Sequence, residues 1–145
     1  MNEQYLYLWV IIMHDVFELV PKDKFDCSCI ERLKSVDIKE VEPILDALLE
    51  WIQDINWPVA KELIKVLPRF HKALIPHIKT IFNSNDDQWE CWTLCLLRDF
   101  PADTVKYLSS EIKRIAEYPT KEELSAEANE YALEIIQQFN LNDYK

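Results

Sequence analysis

The chain has 145 residues, 49% hydrophobic, 29% charged and 12% aromatic, the balance of one domain with a real core, and it contains no glycine. An average chain of this length carries about ten glycines. Their absence excludes phosphate-cradling loops, dinucleotide fingerprints, nucleophile elbows and calcium loops, which need positive φ or a missing Cβ at fixed positions, while a net charge of −10 and a pI near 4.7 argue against general binding to nucleic acid or anionic membrane.

Tight hairpins also favour glycine, so the expected fold is all-α. The apolar run from Tyr5 to Met13 is nine residues long and follows Glu3 rather than a basic region. That is too short to cross about 30 Å of hydrocarbon and does not read as a secretion signal. It predicts a helix over 4–19 with Leu6, Trp9, Val10, Met13, Phe17 and Val20 on one stripe and little polar surface opposite. Such a helix is expected to cap the rest of the chain or to form a dimer contact, leaving monomer and dimer both open.

Seven prolines, with Asn56, Asn83, Asn85 and Asn140, mark where helical periodicity stops. Between them the pattern predicts helices over 27–35, 43–54, 58–69, 73–83, 87–98, 103–117 and 121–139. The last carries Leu124, Ala128, Tyr131, Ala132, Ile135, Ile136 and Phe139 on one face, with Thr120 and Glu123 at capping-box spacing. Residues 140–145 are expected to be a tail.

Two segments align as weak copies. Trp57, Val59, Leu63 and Ile64 match Trp89, Cys91, Cys95 and Leu96 at an offset of 32, and Leu74, Ile78 and Ile81 match Leu108, Ile112 and Ile115 at an offset of 34. Such periods suit stacked antiparallel helix pairs in an α-α superhelix. The segments Val20-Pro-Lys-Asp-Lys-Phe-Asp26, Leu48-Leu-Glu-Trp-Ile-Gln-Asp-Ile-Asn-Trp-Pro-Val-Ala60 and Leu74-Ile-Pro-His-Ile-Lys79 resemble a family of small bacterial proteins classed as a domain of unknown function with HEAT-like helical repeats. The resemblance covers about 20–139. It implies a HEAT-like fold and brings no activity or catalytic residue to carry over.

Four cysteines, at 27, 29, 91 and 95, invite a metal reading. Structural zinc sites usually use tighter knuckles, and Cys91 and Cys95 align with the core positions Val59 and Leu63. Reduced core thiols in a cytoplasmic protein, with no cofactor, are the expectation. His14, His71 and His77 fall in no catalytic spacing. Asp86 and Asp87 sit where a helix begins, and Asn85 with Gln88 or Asp87 with Glu90 has capping-box spacing, so capping explains them better than catalysis.

The charge rows say most about the surface. Glu42, Asp46, Glu50 and Asp54 recur every four residues on one predicted helix, and Lys61, Lys65 and Arg69 do so on the next. Across a helical hairpin these rows can pair into a salt-bridge lattice, with Glu50 near Lys61 and Asp46 near Lys65. Alternatively the basic row, with Lys72 and Lys79 beyond it, lines a groove for an acidic partner or a phosphate backbone. The lattice is the favoured reading. Trp51 and Trp92 fall on core positions, whereas Trp57 and Trp89 open helices and are the expected exposed pair.

The sequence therefore points to a non-enzymatic protein-interaction module, in which Trp57, Lys61, Lys65, Arg69 and Trp89 are the surface candidates. An antidote or regulator of a basic bacterial protein fits the charge. The alternative is a nucleic-acid or phosphate-binding helical-repeat enzyme that uses the basic middle segment.

Overall fold

The computed structural model describes the backbone of residues 2–143 and the side chains of that span except 9–14 and 143. Every regular element among the described residues is helical. They are α1 (Glu3–Phe17), α2 (Ile30–Leu33), α3 (Ile38–Val41), α4 (Leu45–Glu50), α5 (Pro58–Val66), α6 (His71–Phe82), α7 (Asp87–Leu97), α8 (Ala102–Val105), α9 (Ser109–Glu117), α10 (Lys121–Ser125) and α11 (Ala128–Phe139). Tight 3-10 turns at Glu42–Ile44, Leu67–Phe70 and Lys106–Leu108 join α3 to α4, α5 to α6 and α8 to α9.

These three turns share a backbone solution. Ile44, Phe70 and Leu108 each take φ between −101° and −112° with ψ between 4° and 21°, and each is buried. Pro43 and Pro68, which lack the donor an α-helix needs, account for the first two. In the third, the eclipsed i, i+3 spacing of a 3-10 turn carries both Val105 and Leu108 into the core. The helix predicted over 103–117 is therefore interrupted. α5 starts with Pro58 at a position where a missing N–H costs nothing, and the next donor, the Val59 N–H, reaches the Lys24 carbonyl at 3.0 Å. That bond docks the 20–28 loop on the start of α5.

One apolar cluster runs from Val16 to Leu141. α2 packs on α5 and α7 on α11, while α4 packs on α6 and α6 on α8. α7 is central, contacting the Trp51–Gln53 turn, α6, the Leu67–Phe70 turn and α11. Glu90, Cys91, Thr93, Leu94, Leu96 and Leu97 are all buried on it. This wide burial separates α7 from its aligned copy α5, on which the positions matching Leu94 and Leu97 are Glu62, half-buried, and Lys65, exposed.

The structure departs from the sequence pattern at several further points. The helix predicted over 121–139 is two helices, because Glu127 adopts a left-handed backbone with φ 62° and ψ 23°. The capping box at its start is present, with Glu123 N–H donating to Thr120 Oγ1 and Thr120 N–H to Glu123 Oε1, both at 3.1 Å. Glu123 is then drawn inward, leaving Leu124 52% exposed rather than on the buried stripe. The left-handed turn re-aims the chain so that Ala128, Ala132, Ile135 and Ile136 face α7 and α9. The cap of α7 is neither predicted residue. Asp86 accepts from Trp89 N–H at 3.0 Å, and Asn85 takes the left-handed conformation, φ 64°, just before it. The short α3, capped by Asp37 accepting from Lys39 N–H at 2.8 Å, has no counterpart in the pattern. Of the four punctuating asparagines only Asn85 and Asn140 have positive φ; Asn83 closes α6 at φ −110°.

At the ends of the chain, Leu141 is fully buried, so the core continues past residue 139. At the other end α1 packs on α3 and anchors through buried Val16 and Leu19. Tyr5, Leu6, Tyr7 and Leu8 cover all sides of a helix turn, and all are exposed. The Trp9, Val10 and Met13 side chains of the predicted stripe, and His14, lie outside the described residues.

Candidate functional site

The expected lattice does not form: among the described residues, no ion pair joins the row Glu42, Asp46, Glu50 and Asp54 to Lys61 or Lys65. Lys65 bonds Glu62 on its own helix at 3.4 Å, and Lys61 is exposed. Asp46 and Asp54 turn back to the backbone N–H groups of Ala47 and Asn56. The physical reason is that the chain leaves α4 through a 3-10 turn at Trp51–Gln53, which itself packs against α5. The two rows consequently line different grooves.

The first groove, about 360 Å³, is lined by Asp46, Leu49, Glu50, His77, Thr80, Ile81 and Trp89. Trp89 is half-buried here, and its indole N–H donates to the Leu49 carbonyl at 3.0 Å. The ring therefore has a fixed pose, with two carboxylates and one imidazole around an apolar wall. The second groove, about 290 Å³, lies between α2 and α5 and is lined by Ile30, Lys34, Glu62, Lys65, Val66 and Arg69. Ile30 and Val66 are the floor, exposed by only 8% and 7%. Arg69 Nη1 donates to the carbonyls of Leu33, at 3.1 Å, and Val36, at 2.5 Å, which satisfies the open end of α2. Lys34 pairs with Glu31 at 2.7 Å.

The five residues selected from sequence therefore divide. Lys65 and Arg69 share the basic groove, and Trp89 belongs to the acidic one. Lys61 stands a turn from Lys65 on α5. Trp57 is half-buried, its ring edge-on to Trp51 with centroids 5.6 Å apart, rather than free for stacking. Lys34, a lining residue, has no periodic partner in the sequence, because it comes to α5 only through the packing of α2.

A third cluster is buried. Glu90 on α7 and Glu123 on α10 are 1% and 2% exposed. Arg114 on α9 grips Glu123 through two bonds, Nη1 to Oε1 at 2.8 Å and Nη2 to Oε2 at 3.0 Å. Burial works against the Glu123 carboxylate, but the bonds from Arg114 and Thr120 outweigh it and its pKa is lowered. For Glu90, burial and then the neighbouring Glu123 charge push the pKa up to about 8, with Arg114 only partly opposing. Its Oε2 has no hydrogen-bond partner. The sequence signal was a lone carboxylate inside an otherwise buried helix face, read there as a cap.

Cys29 and Cys91 are buried and Cys95 is half-buried, but Cys27 is exposed, so the expectation of core thiols does not hold there. Burial raises Cys29 to about 11 and Cys91 to about 12, and Cys91 Sγ donates to the Ala126 carbonyl at 3.4 Å. His71 Nδ1 lies 2.7 Å from the buried Thr104 hydroxyl, clipping α6 to α8, and burial lowers its pKa. Among the described residues no group of three or more His, Cys, Asp or Glu side chains could hold a metal, and no helix is long and apolar enough to cross a membrane.

The chain is thus an all-helical domain with two grooves of opposite charge and, separately, two buried carboxyl groups. Residues 19–136 match the model of a domain of unknown function, DUF5071, and the chain belongs to that family. A search of the curated proteins finds none that matches.

Proposed function

We propose that this protein is a non-enzymatic protein-interaction module that receives a basic protein partner on the groove between α4, α6 and α7. The observation that carries the reading is the missing lattice. Asp46 and Glu50 are exposed and not neutralised by the lysines of α5, and they flank a tryptophan held rigid by its bond to Leu49. A fixed aromatic surrounded by open carboxylates is the anchor-and-rim arrangement of protein interfaces. A net charge of −10 steers a cationic partner toward it. In this reading α3–α4, α5–α6 and α7 to α9 stack as HEAT-like antiparallel pairs, and an antidote or regulator acting by occlusion is the simplest role.

The experiment is reversal of the groove charge. A partner retained by the parent protein from native cells should bind an Asp46→Lys, Glu50→Lys variant at least about tenfold more weakly, as expected from two lost charge contacts of roughly 1 kcal/mol each. Both side chains are exposed, so the fold should survive the change.

A further inference from the structure

We propose that the groove between α2 and α5 is a receptor for a carboxylate-bearing segment of a protein partner, read side-on by the Nε–Nη2 edge of Arg69. This rests on the interaction-module reading but uses a different surface from the acidic groove. A guanidinium has two edges that can meet a carboxylate. The Nη1 end is occupied, because it donates to both the Leu33 and Val36 carbonyls. Those bonds, with the Phe70 ring 5.2 Å from Cζ, hold the plane of the group. The Nε–H and Nη2–H donors on the other edge bond no described residue, and side-on pairing to these two is a standard bidentate carboxylate geometry.

The surroundings favour an acidic peptide over a cation or a neutral ligand. Lys34 and Lys65 line the same groove, and Glu62 is the one carboxylate among the lining residues. Each lysine is tied only to an acid three residues away on its own strip of chain, at 2.7 and 3.4 Å. Both lysines are more than half exposed, so they can turn to a second anion at small cost. The floor is apolar, formed by Ile30 and Val66, and suits the side-chain methylenes or a leucine neighbouring the carboxylate. A bare inorganic anion would leave that floor unused. The arginine is ordered before any partner arrives, which removes part of the entropy cost of binding.

The probe is a blocked hexapeptide, acetyl-Leu-Glu-Glu-Leu-Glu-Glu-amide, added to the full-length protein and followed by the Arg69 Nε–H and the Ile30 and Val66 methyl resonances. Saturable shifts at all three, weakened about tenfold or more by a tenfold rise in salt and absent with the glutamine peptide, are expected. A Lys34→Glu, Lys65→Glu variant, which removes two exposed cations without touching the bonds of Arg69, should lose at least about tenfold in affinity. Arg69→Lys should lose it as well. Absence of shifts at Arg69 would overturn the proposal. So would inorganic phosphate displacing the peptide at equal concentration, which would make this a small-anion site. Because the peptide test needs no basic partner, its failure leaves the acidic-groove reading standing, and failure of that reading leaves this one standing.

Discussion

The Trp89 indole N–H and the Leu49 carbonyl meet at 3.0 Å, and this one bond joins the start of α7 to α4 across the wall of the acidic groove. Trp89→Phe keeps most of the apolar contact and removes the donor. The Leu49 carbonyl then loses a partner in a half-buried place, so a loss of about 1–2 kcal/mol is expected. Urea unfolding should show a lower midpoint with an unchanged slope.

The Glu90 carboxyl makes stability fall as pH rises. Its pKa is raised from 4.5 to about 8 in the fold, so between those values the native state holds a proton that the unfolded chain has released. Stability from this group is full below the unfolded value and falls as pH rises through about 8, by at most about 1.4 kcal/mol per pH unit. Glu123, with its pKa lowered, acts oppositely: its contribution is present above the unfolded pKa and lost as pH falls through the folded one. The groups facing Glu90 are Asp87, Arg114 and Glu123. Glu90→Gln should flatten the decline between about pH 4.5 and 8 in chemical denaturation, leaving the acid-side loss from Glu123 in place.

Arg114 holds Glu123 while being itself 38% exposed. Arg114→Ala strands a buried carboxylate beside Glu90, and a loss of about 2–4 kcal/mol is expected, reduced from the fully buried case because water reaches the arginine. Adding Glu123→Gln should recover part of it. A double-mutant cycle on thermal or urea unfolding measures the coupling, and an additive result would show that the pair is energetically unlinked.

Because no lattice forms, Lys61→Glu with Lys65→Glu should change stability by no more than about 0.5–1 kcal/mol, consistent with exposed side chains. A loss of several kcal/mol would restore the hairpin lattice that the sequence suggested.

At the amino terminus, residues 2–8 are all exposed, and truncation after residue 8 should leave the melting temperature within a few degrees. Truncation after residue 19 also removes buried Val16 and Leu19, and a further loss of about 2–5 kcal/mol is expected. Differential scanning calorimetry on the two variants separates these outcomes.

The elements most visible in the sequence were those whose periodicity matched a single buried face. Leu74, Ile78 and Ile81 on α6 and Ile112 and Ile115 on α9 are all buried as their spacing requires. The break at Glu127 was invisible because no proline or asparagine marks it, and a glutamate seldom takes positive φ. α3 was hidden by its length, four residues, below what a 3.6-residue period can reveal. For the grooves, composition supplied the charge rows but not their partners. The turn at Trp51–Gln53 decides where each row faces, and Lys34 reaches Arg69 only through the docking of α2 on α5.

The most direct test of the interaction-module account is the affinity of the retained native partner for the parent protein and for the Asp46→Lys, Glu50→Lys variant, measured by titration calorimetry at physiological salt. The account predicts a basic protein partner, binding that weakens at least about tenfold in the variant, and an unchanged melting temperature. Equal affinity for both forms, or a retained nucleic acid in place of a protein, would contradict it.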